Sequence, residues 1–280
     1  MNIDVFFTII LGAVASISLI LFKKANDKRF SSWTYSFWWS ALAVLFIFPF
    51  ALSYFEKPES ILALTFLTMS ALTWTLASVT TMFAFKHADA SIVMLVGRLS
   101  NASIFLVGWL YIGEKIGIYA VLGLLLTLLG SLVIMFKKGS IRPSKGVLLS
   151  MVPVAFLTAA FYFDKQAVAT FNPINFIFLQ QLMQTVFSFF GVKNKAEIGQ
   201  LFAEKKKLLI PAIACFVIGY TGFIALLGRN NLSVLPLTYE TTVFLGSMML
   251  GVIYLGEKKQ LAQKVVGTIL ALAGVVLLSF

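Results

Sequence analysis

Along its 280 residues the chain alternates long runs of apolar side chains with short polar interruptions. Ten of the runs reach the roughly 20 residues that a helix needs to cross a hydrocarbon core about 30 Å thick. The expected spans are 4–22, 31–54, 61–85, 91–112, 117–136, 145–163, 172–192, 207–227, 234–255 and 262–280. The connectors are short, and the longest, Lys193 to Lys206, is too small to be a domain. A membrane barrel would instead need segments of about ten residues alternating in polarity. The pattern therefore predicts an all-α integral membrane protein with ten transmembrane helices.

Composition agrees with the pattern. The chain is 60% hydrophobic and 12% charged, whereas a soluble domain carries about 25% charged residues. The segment MNIDVFF has no basic stretch and the run after it no small-residue cleavage site, so residues 4–22 are expected to remain as a span. One cysteine, Cys215, leaves no intramolecular disulfide and no cysteine-based metal site. The net charge of +11 comes from residues scattered over short loops rather than gathered on one face, which argues against a nucleic-acid partner.

The loops instead report topology. Of 22 Lys and Arg, 17 lie in odd-numbered connectors and four in even-numbered ones, and Arg98 alone lies inside a span. Positive loops stay on the cytoplasmic side, so the odd connectors are expected inside and both termini outside.

An internal repeat sets the organisation. GWLYIGEK at 108–115 and GVIYLGEK at 251–258 agree at five of eight positions. Gly123 and Gly130 follow the first octet, and Gly267 and Gly274 the second. Lys23 parallels Lys165, and Lys86 parallels Arg229. The copies are residues 1–140 and 141–280, each with five spans. Because five is odd, the second copy enters the membrane from the opposite side. Two inverted five-helix repeats are the construction typical of secondary transporters, whose halves open a midplane site alternately to each face.

These octets, the ten spans and the five-plus-five inversion resemble the EamA-type family of the drug/metabolite transporter superfamily over the whole chain. The most specific element is the Gly-Glu pair, Gly113–Glu114 and Gly256–Glu257, ahead of a glycine-spaced helix. The resemblance implies a central cavity for a small metabolite and transport driven by proton or solute gradients without ATP, in a prokaryotic inner membrane. Relatives carry amino acids, sugars, nucleotide derivatives or cationic drugs, and are commonly drawn with both termini inside, against the charge reading.

Two charged residues lie within the spans, Arg98 in the fourth and Glu240 in the ninth. An ionised group near the bilayer centre is expensive unless it faces a partner or a cavity. The pair is either a structural bridge between the halves or a binding site. As a site, the Arg98 fork suits a carboxylate and Glu240 suits an ammonium group or a proton; together they suit a zwitterion. From the seven-residue and six-residue offsets of the two from their helix starts, their depths differ by roughly 10 Å, which long side chains can narrow. Asn101, one turn after Arg98, and Tyr239, beside Glu240, are candidate neighbours, as are Trp74, Tyr162 and Gln180 in the third, sixth and seventh spans. For each of these five, helix packing or an interhelical hydrogen bond is the competing role.

Other polar residues invite structural readings. Glu114 and Glu257 sit in short turns, where an acidic group caps the next helix. His87 is expected to be solvated at the membrane edge, and at the end of the sixth span Asp164 is expected to be exposed and Lys165 to snorkel, with a gating role as the alternative for the two. Pro49 and Pro153 kink their helices, whereas Pro236 starts one.

The expected function is a secondary active exporter of a small polar metabolite, most consistent with an amino acid or related zwitterion, with protons as the candidate coupling ion. Cationic drugs and sugar- or nucleotide-type metabolites are the alternative cargo. An intramembrane enzyme lacks its residues here: there is no HExxH, no Ser–His pair within the spans and no cysteine motif. A sensor lacks an output domain, a channel lacks a charged ring, and no GxxxxGK[ST] segment points to ATP. No cofactor is expected. The partners are substrate and bilayer, with the chain a monomer or homodimer.

Overall fold

The computed structural model describes residues 3–27, 29–53, 55, 60–87, 96–135, 145–254, 261–278 and 280. These residues form ten helices: α1 (Ile3–Ala25), α2 (Ser32–Ser53), α3 (Ile61–His87), α4 (Leu99–Leu106, continued by a π-helical stretch Val107–Ile112), α5 (Ile118–Met135), α6 (Lys145–Ala167), α7 (Pro173–Gly191), α8 (Ala196–Leu227), α9 (Leu235–Tyr254) and α10 (Leu261–Leu277). The second Gly-Glu pair, Gly256 and Glu257, lies outside the described residues.

Local chemistry sets several ends. Asn172 accepts a hydrogen bond from the Ile174 N–H at 3.0 Å and Pro173 occupies the first helical position, so α7 starts there. Gly113 ends the π-helical stretch with φ of 79°, a conformation that disfavours any residue with a Cβ. Pro49 and Pro153 lie inside α2 and α6.

The segment expected to be the longest connector is helical from Ala196 and runs unbroken into the eighth span, giving α8 32 residues. Its first turns are amphipathic. Leu201 is fully buried and Phe202 packs with it into a cluster containing Phe30, Tyr35 and Trp38. Trp38 stacks on Phe202 at 4.3 Å and donates its indole N–H to the Ile198 carbonyl at 2.7 Å. Of the basic residues that signalled a loop, Lys206 and Lys207 are exposed on this helix, and Lys193 and Lys195 precede it.

Five helices, α1, α2, α3, α6 and α8, are long and apolar enough to cross a membrane by themselves, and α4, α5 and α10 are shorter apolar helices within the described range. The polar content of α7 points inward: Asn175, Gln180, Gln181 and Gln184 are buried while Leu182, Val186 and Phe190 are exposed. Every helix leaves large apolar side chains on the outside of the bundle. An interior richer in amides than its surface is the arrangement that lipid stabilises and water does not.

The packing maps onto itself when helix n is exchanged with helix n + 5. The α1–α8 contact corresponds to α6–α3, α1–α9 to α6–α4, and α2–α8 to α7–α3, while α2–α7, α4–α9 and α5–α10 correspond to themselves. The three self-corresponding pairs run antiparallel. In α2–α7, Ser36 meets Ser188 and Phe48 meets Phe178; in α4–α9, Arg98 meets Glu240 and Phe105 meets Ser233 just before α9.

In α5–α10 the repeated glycines face one another. A Cβ on Gly123 would lie 2.8 Å from the Gly274 carbonyl oxygen, and one on Gly130 2.5 Å from that of Gly267. Both distances are shorter than carbon and oxygen tolerate, so the backbones touch only because these positions are glycine.

Candidate functional site

A cavity of about 200 Å³ opens between the halves. Ala15, Ser18 and Leu19 of α1, Trp39 of α2 and Trp74 and Ser78 of α3 line one part of it; Gln181 and Gln184 of α7, Phe216 and Tyr220 of α8, and Tyr239, Glu240 and Val243 of α9 line the rest. Two counterpart pairs contribute to the lining, α2 with α7 and α3 with α8, and α1 and α9 complete it.

Glu240 is the acidic group on this wall. Its carboxylate lies 4.0 Å from the Arg98 guanidinium, with side-chain exposures of 19% and 14%. That separation permits charge attraction without a hydrogen bond. Arg98 instead donates from Nη1 to the Glu240 main-chain carbonyl at 3.2 Å and lies over the Phe244 ring at 4.8 Å. Its Nε–H is buried and has no partner among the described residues. The guanidinium thus keeps donor capacity beside the cavity, in a place where an unsatisfied donor is unfavourable.

Opposite the α9 wall lies a second polar centre, built on Asp164. The expectation of an exposed aspartate is overturned: Asp164 is fully buried. Helix α6 continues three residues beyond Asp164 to Ala167, which puts the carboxylate inside the bundle. Oδ1 accepts from Ser70 Oγ at 2.5 Å and Gln180 Nε2 at 2.9 Å; Oδ2 accepts from Trp74 Nε1 at 2.9 Å and the Tyr220 hydroxyl at 2.8 Å. Gln180 Nε2 also donates to Ser70 Oγ at 2.6 Å. Four donors from α3, α7 and α8 converge on one side chain of α6. Lys165 turns away and donates to the carbonyls of Leu227 and Asn230 at 2.8 and 2.5 Å, closing the end of α8.

The sequence-derived candidates fall into three groups. Arg98 and Glu240 adjoin across α4–α9, and Trp74 and Tyr239 line the cavity with Glu240. Tyr239 also stacks on Phe223 at 4.4 Å. Gln180 and Asn101 are buried behind the wall, Gln180 in the Asp164 cluster and Asn101 on α4. Tyr162 is away from the cavity: it packs edge-on against Tyr111 at 5.6 Å and against Phe163. It precedes Asp164 by two residues, a rotation of about 200° around a helix, so the two side chains leave α6 in opposite directions.

Ser70, Asp164, Gln181, Gln184 and Tyr220 were not anticipated as site residues. The acid in AAFYFDKQ was the available signal for Asp164, hidden by placing the end of its span at 163, four residues before the helix ends at Ala167. The QQLMQ run on α7 is polar at positions 180, 181 and 184, a helical spacing that marks an inward face.

Glu114 does cap a helix, but across the interface between the halves. Its carboxylate accepts from the Leu232 and Ser233 N–H groups at 2.6 and 2.9 Å and from the Ser233 hydroxyl at 2.5 Å, at the start of α9 rather than of α5.

A ten-helix bundle with counterpart halves and, between them, a largely apolar cavity that carries a few polar groups is an architecture suited to a membrane transporter. The model of the EamA-like transporter family matches residues 2–136 and again 144–280, and the chain belongs to that family. It is a transporter of the drug/metabolite type, integral to the membrane. One solved structure, described only as "Crystal structure of protein", superposes over 99% of this chain and 95% of its own with a TM-score of 0.70 at 14% identity, which marks a shared fold. No curated protein matches the sequence.

Proposed function

We propose that the protein exports an amino acid or a similar small zwitterion through ten membrane spans arranged as two inverted repeats, by alternating access, with Glu240 carrying the coupling proton. The observation that carries this reading is the placement of one carboxylate, Glu240, on the cavity wall with a donor-rich guanidinium 4.0 Å behind it. An ammonium group at Glu240 and a carboxylate at Arg98 would satisfy both charges and the buried Nε–H. The antiparallel pairing of counterpart helices supports the inversion. The cavity volume lies below the roughly 300–1,000 Å³ of drug-sized sites, which favours a small cargo. Loop charge favours odd connectors in the cytoplasm of a prokaryote and both termini outside.

Protonation of Glu240 would release the ammonium group and remove the attraction to Arg98, so proton entry from one face and cargo release at that face become one event. A second reading, a compact organic cation, rests on the rings of Trp39, Trp74, Phe216, Tyr220 and Tyr239 around the acid, whose faces attract ammonium groups.

The test is counterflow in proteoliposomes across labelled amino acids, sugars, nucleosides and cationic drugs, with and without a pH gradient. In the zwitterion reading an amino acid exchanges, Glu240→Gln abolishes the response to the gradient, and Arg98→Ala raises the apparent KM at least about tenfold, as expected for loss of a charged hydrogen bond. Cation transport that is indifferent to Arg98→Ala would replace the first reading by the second. Normal transport by both variants would make the pair structural.

A further inference from the structure

Trp74 and Tyr220 are the two cavity-lining rings whose polar ends are already occupied. The indole N–H and the phenol O–H both reach the same oxygen of Asp164, at 2.9 and 2.8 Å. The rings also touch edge to face, with centroids 5.7 Å apart. An indole N–H and an amide NH2 only donate, so Trp74 and Gln180 fix Asp164 as their acceptor. Ser70, which accepts from Gln180, completes the cluster by donating its own proton. Asp164 itself does not line the cavity.

We infer that Asp164 is a positioning residue of the transport site, acting through Trp74 and Tyr220 to fix the aromatic wall against which the cargo rests. The inference depends on reading the cavity as the transport site. Two consequences follow from the geometry. With N–H and O–H turned to Asp164, these rings offer the cargo π faces and edges rather than donors, and acceptance by a carboxylate enriches their electron density toward a cationic group. The wall is also one-sided. Lys23 corresponds to Lys165, so the counterpart of Asp164 is Phe22, which packs edge-on against Tyr35 and Trp39 at 5.5 and 5.1 Å and forms no such cluster. Asp164 thus holds one cavity ring from each half by hydrogen bonds, Trp74 of α3 and Tyr220 of α8, while its counterpart Phe22 meets its neighbours through ring contacts.

Asp164→Asn tests this, because the amide presents a donor where two or more donors now converge. The chain has five tryptophans, so 15N-indole labelling in detergent gives five resonances, with Trp74 assigned by Trp74→Phe. Asp164→Asn and Tyr220→Phe are expected to move the Trp74 resonance and leave the other four in place. For whichever panel compound is carried, both variants are expected to raise the apparent KM, by about tenfold for Asp164→Asn, with Vmax per folded molecule within about twofold. The double variant should be no worse than Asp164→Asn alone, since both act on one cluster.

An unmoved Trp74 resonance, or a KM unchanged while folded yield falls, overturns the inference and leaves Asp164 a helix tie. If Asp164→Asn does not fold, Tyr220→Phe decides: it removes one hydroxyl, and an unchanged Trp74 resonance and KM overturn the inference. If the panel finds no cargo, the zwitterion reading fails and the Trp74 resonance decides the pinning by itself.

Discussion

At the scale of single residues, the energetics of the membrane interior make polar atoms informative, and the arrangement of Arg98 shows how. The guanidinium is held by a carbonyl, a ring face and a carboxylate 4.0 Å away, so no single contact fixes it. Removing one member of a buried pair leaves the other charge unpaired, whereas removing both does not. Arg98→Ala should therefore lower the unfolding free energy in detergent by about 2 kcal/mol, and Arg98→Ala/Glu240→Gln should recover about half of that loss. Thermal denaturation of the three proteins measures both. An additive double variant would mean that the charges do not interact. Arg98 and Glu240 were legible in the sequence because a charge inside an apolar run has no other explanation. Asp164 was not, because a span ended four residues too early leaves its last acid among lipid headgroups instead of in the core. Tyr162 was misplaced for a related reason: sequence gives depth along a helix, while the side of the helix needs its neighbours.

At the scale of elements, close approach and exposure assign opposite outcomes to chemically similar substitutions. Gly130 faces the backbone of α10, and a side chain there meets the Gly267 carbonyl and the Ala271 N–H at 2.5 and 2.6 Å. Gly130→Leu should separate α5 from α10 and cost about 2–3 kcal/mol, the range of overpacking in a tight core. Gly199 has open space around it in the exposed face of α8, and Gly199→Ala should stabilise that helix by about 0.5–1 kcal/mol. Thermal shifts in detergent should move in opposite directions. The helix count and the α5–α10 glycines could be read from the chain. The start of α8 could not, since AEIGQLFAEKKK looks like a charged loop until Leu201 and Phe202 find Phe30, Tyr35 and Trp38 on α2 and its approach. That partner is some 165 residues away in the sequence, beyond what local pattern reports.

At the scale of the molecule, each end of the bundle carries polar ties between the halves. At one end Arg29 donates to Glu204 at 2.8 Å and to Asp27 at 2.7 Å, and Glu197 accepts from the Ser31 N–H at 3.0 Å. At the other, Arg229 pairs with Asp4 at 2.7 Å and Glu114 caps α9. Hydrogen bonds from Arg29 to the Asp27 carboxyl hold it at about 2, below its ordinary 3.8. The contribution of Asp27 to stability is therefore complete above about pH 4, and is lost as pH falls through about 2, because over that interval the unfolded chain binds the extra proton. Asp27→Asn should flatten the acid limb of a stability profile between pH 4 and 2 and lower the plateau over pH 5–8 uniformly, without changing its slope; an altered slope near neutrality would show that the shift has been assigned to the wrong group. High salt should weaken the same cluster, since it is exposed. The repeat in the sequence foretold that the halves correspond. Which residues tie their ends depends on loops that do not repeat.

The α5–α10 contact has a mechanical consequence. Helices that interlock side chains like gear teeth move against one another in notches, each set by a ridge climbing out of its groove. Where Gly123 meets Gly274 and Gly130 meets Gly267 the backbones themselves touch, and Leu278, Thr127, Ile134 and Ala271 fill the space each missing side chain leaves, which makes a bearing with shallow notches. Exchange of the halves turns each of these contacts into the other, so the bearing resists a roll in one sense as much as in the opposite sense. It gives the molecule an axle without giving it a direction. Any preference for facing one side of the membrane must be written where the halves disagree, as they do at Asp164 and Phe22.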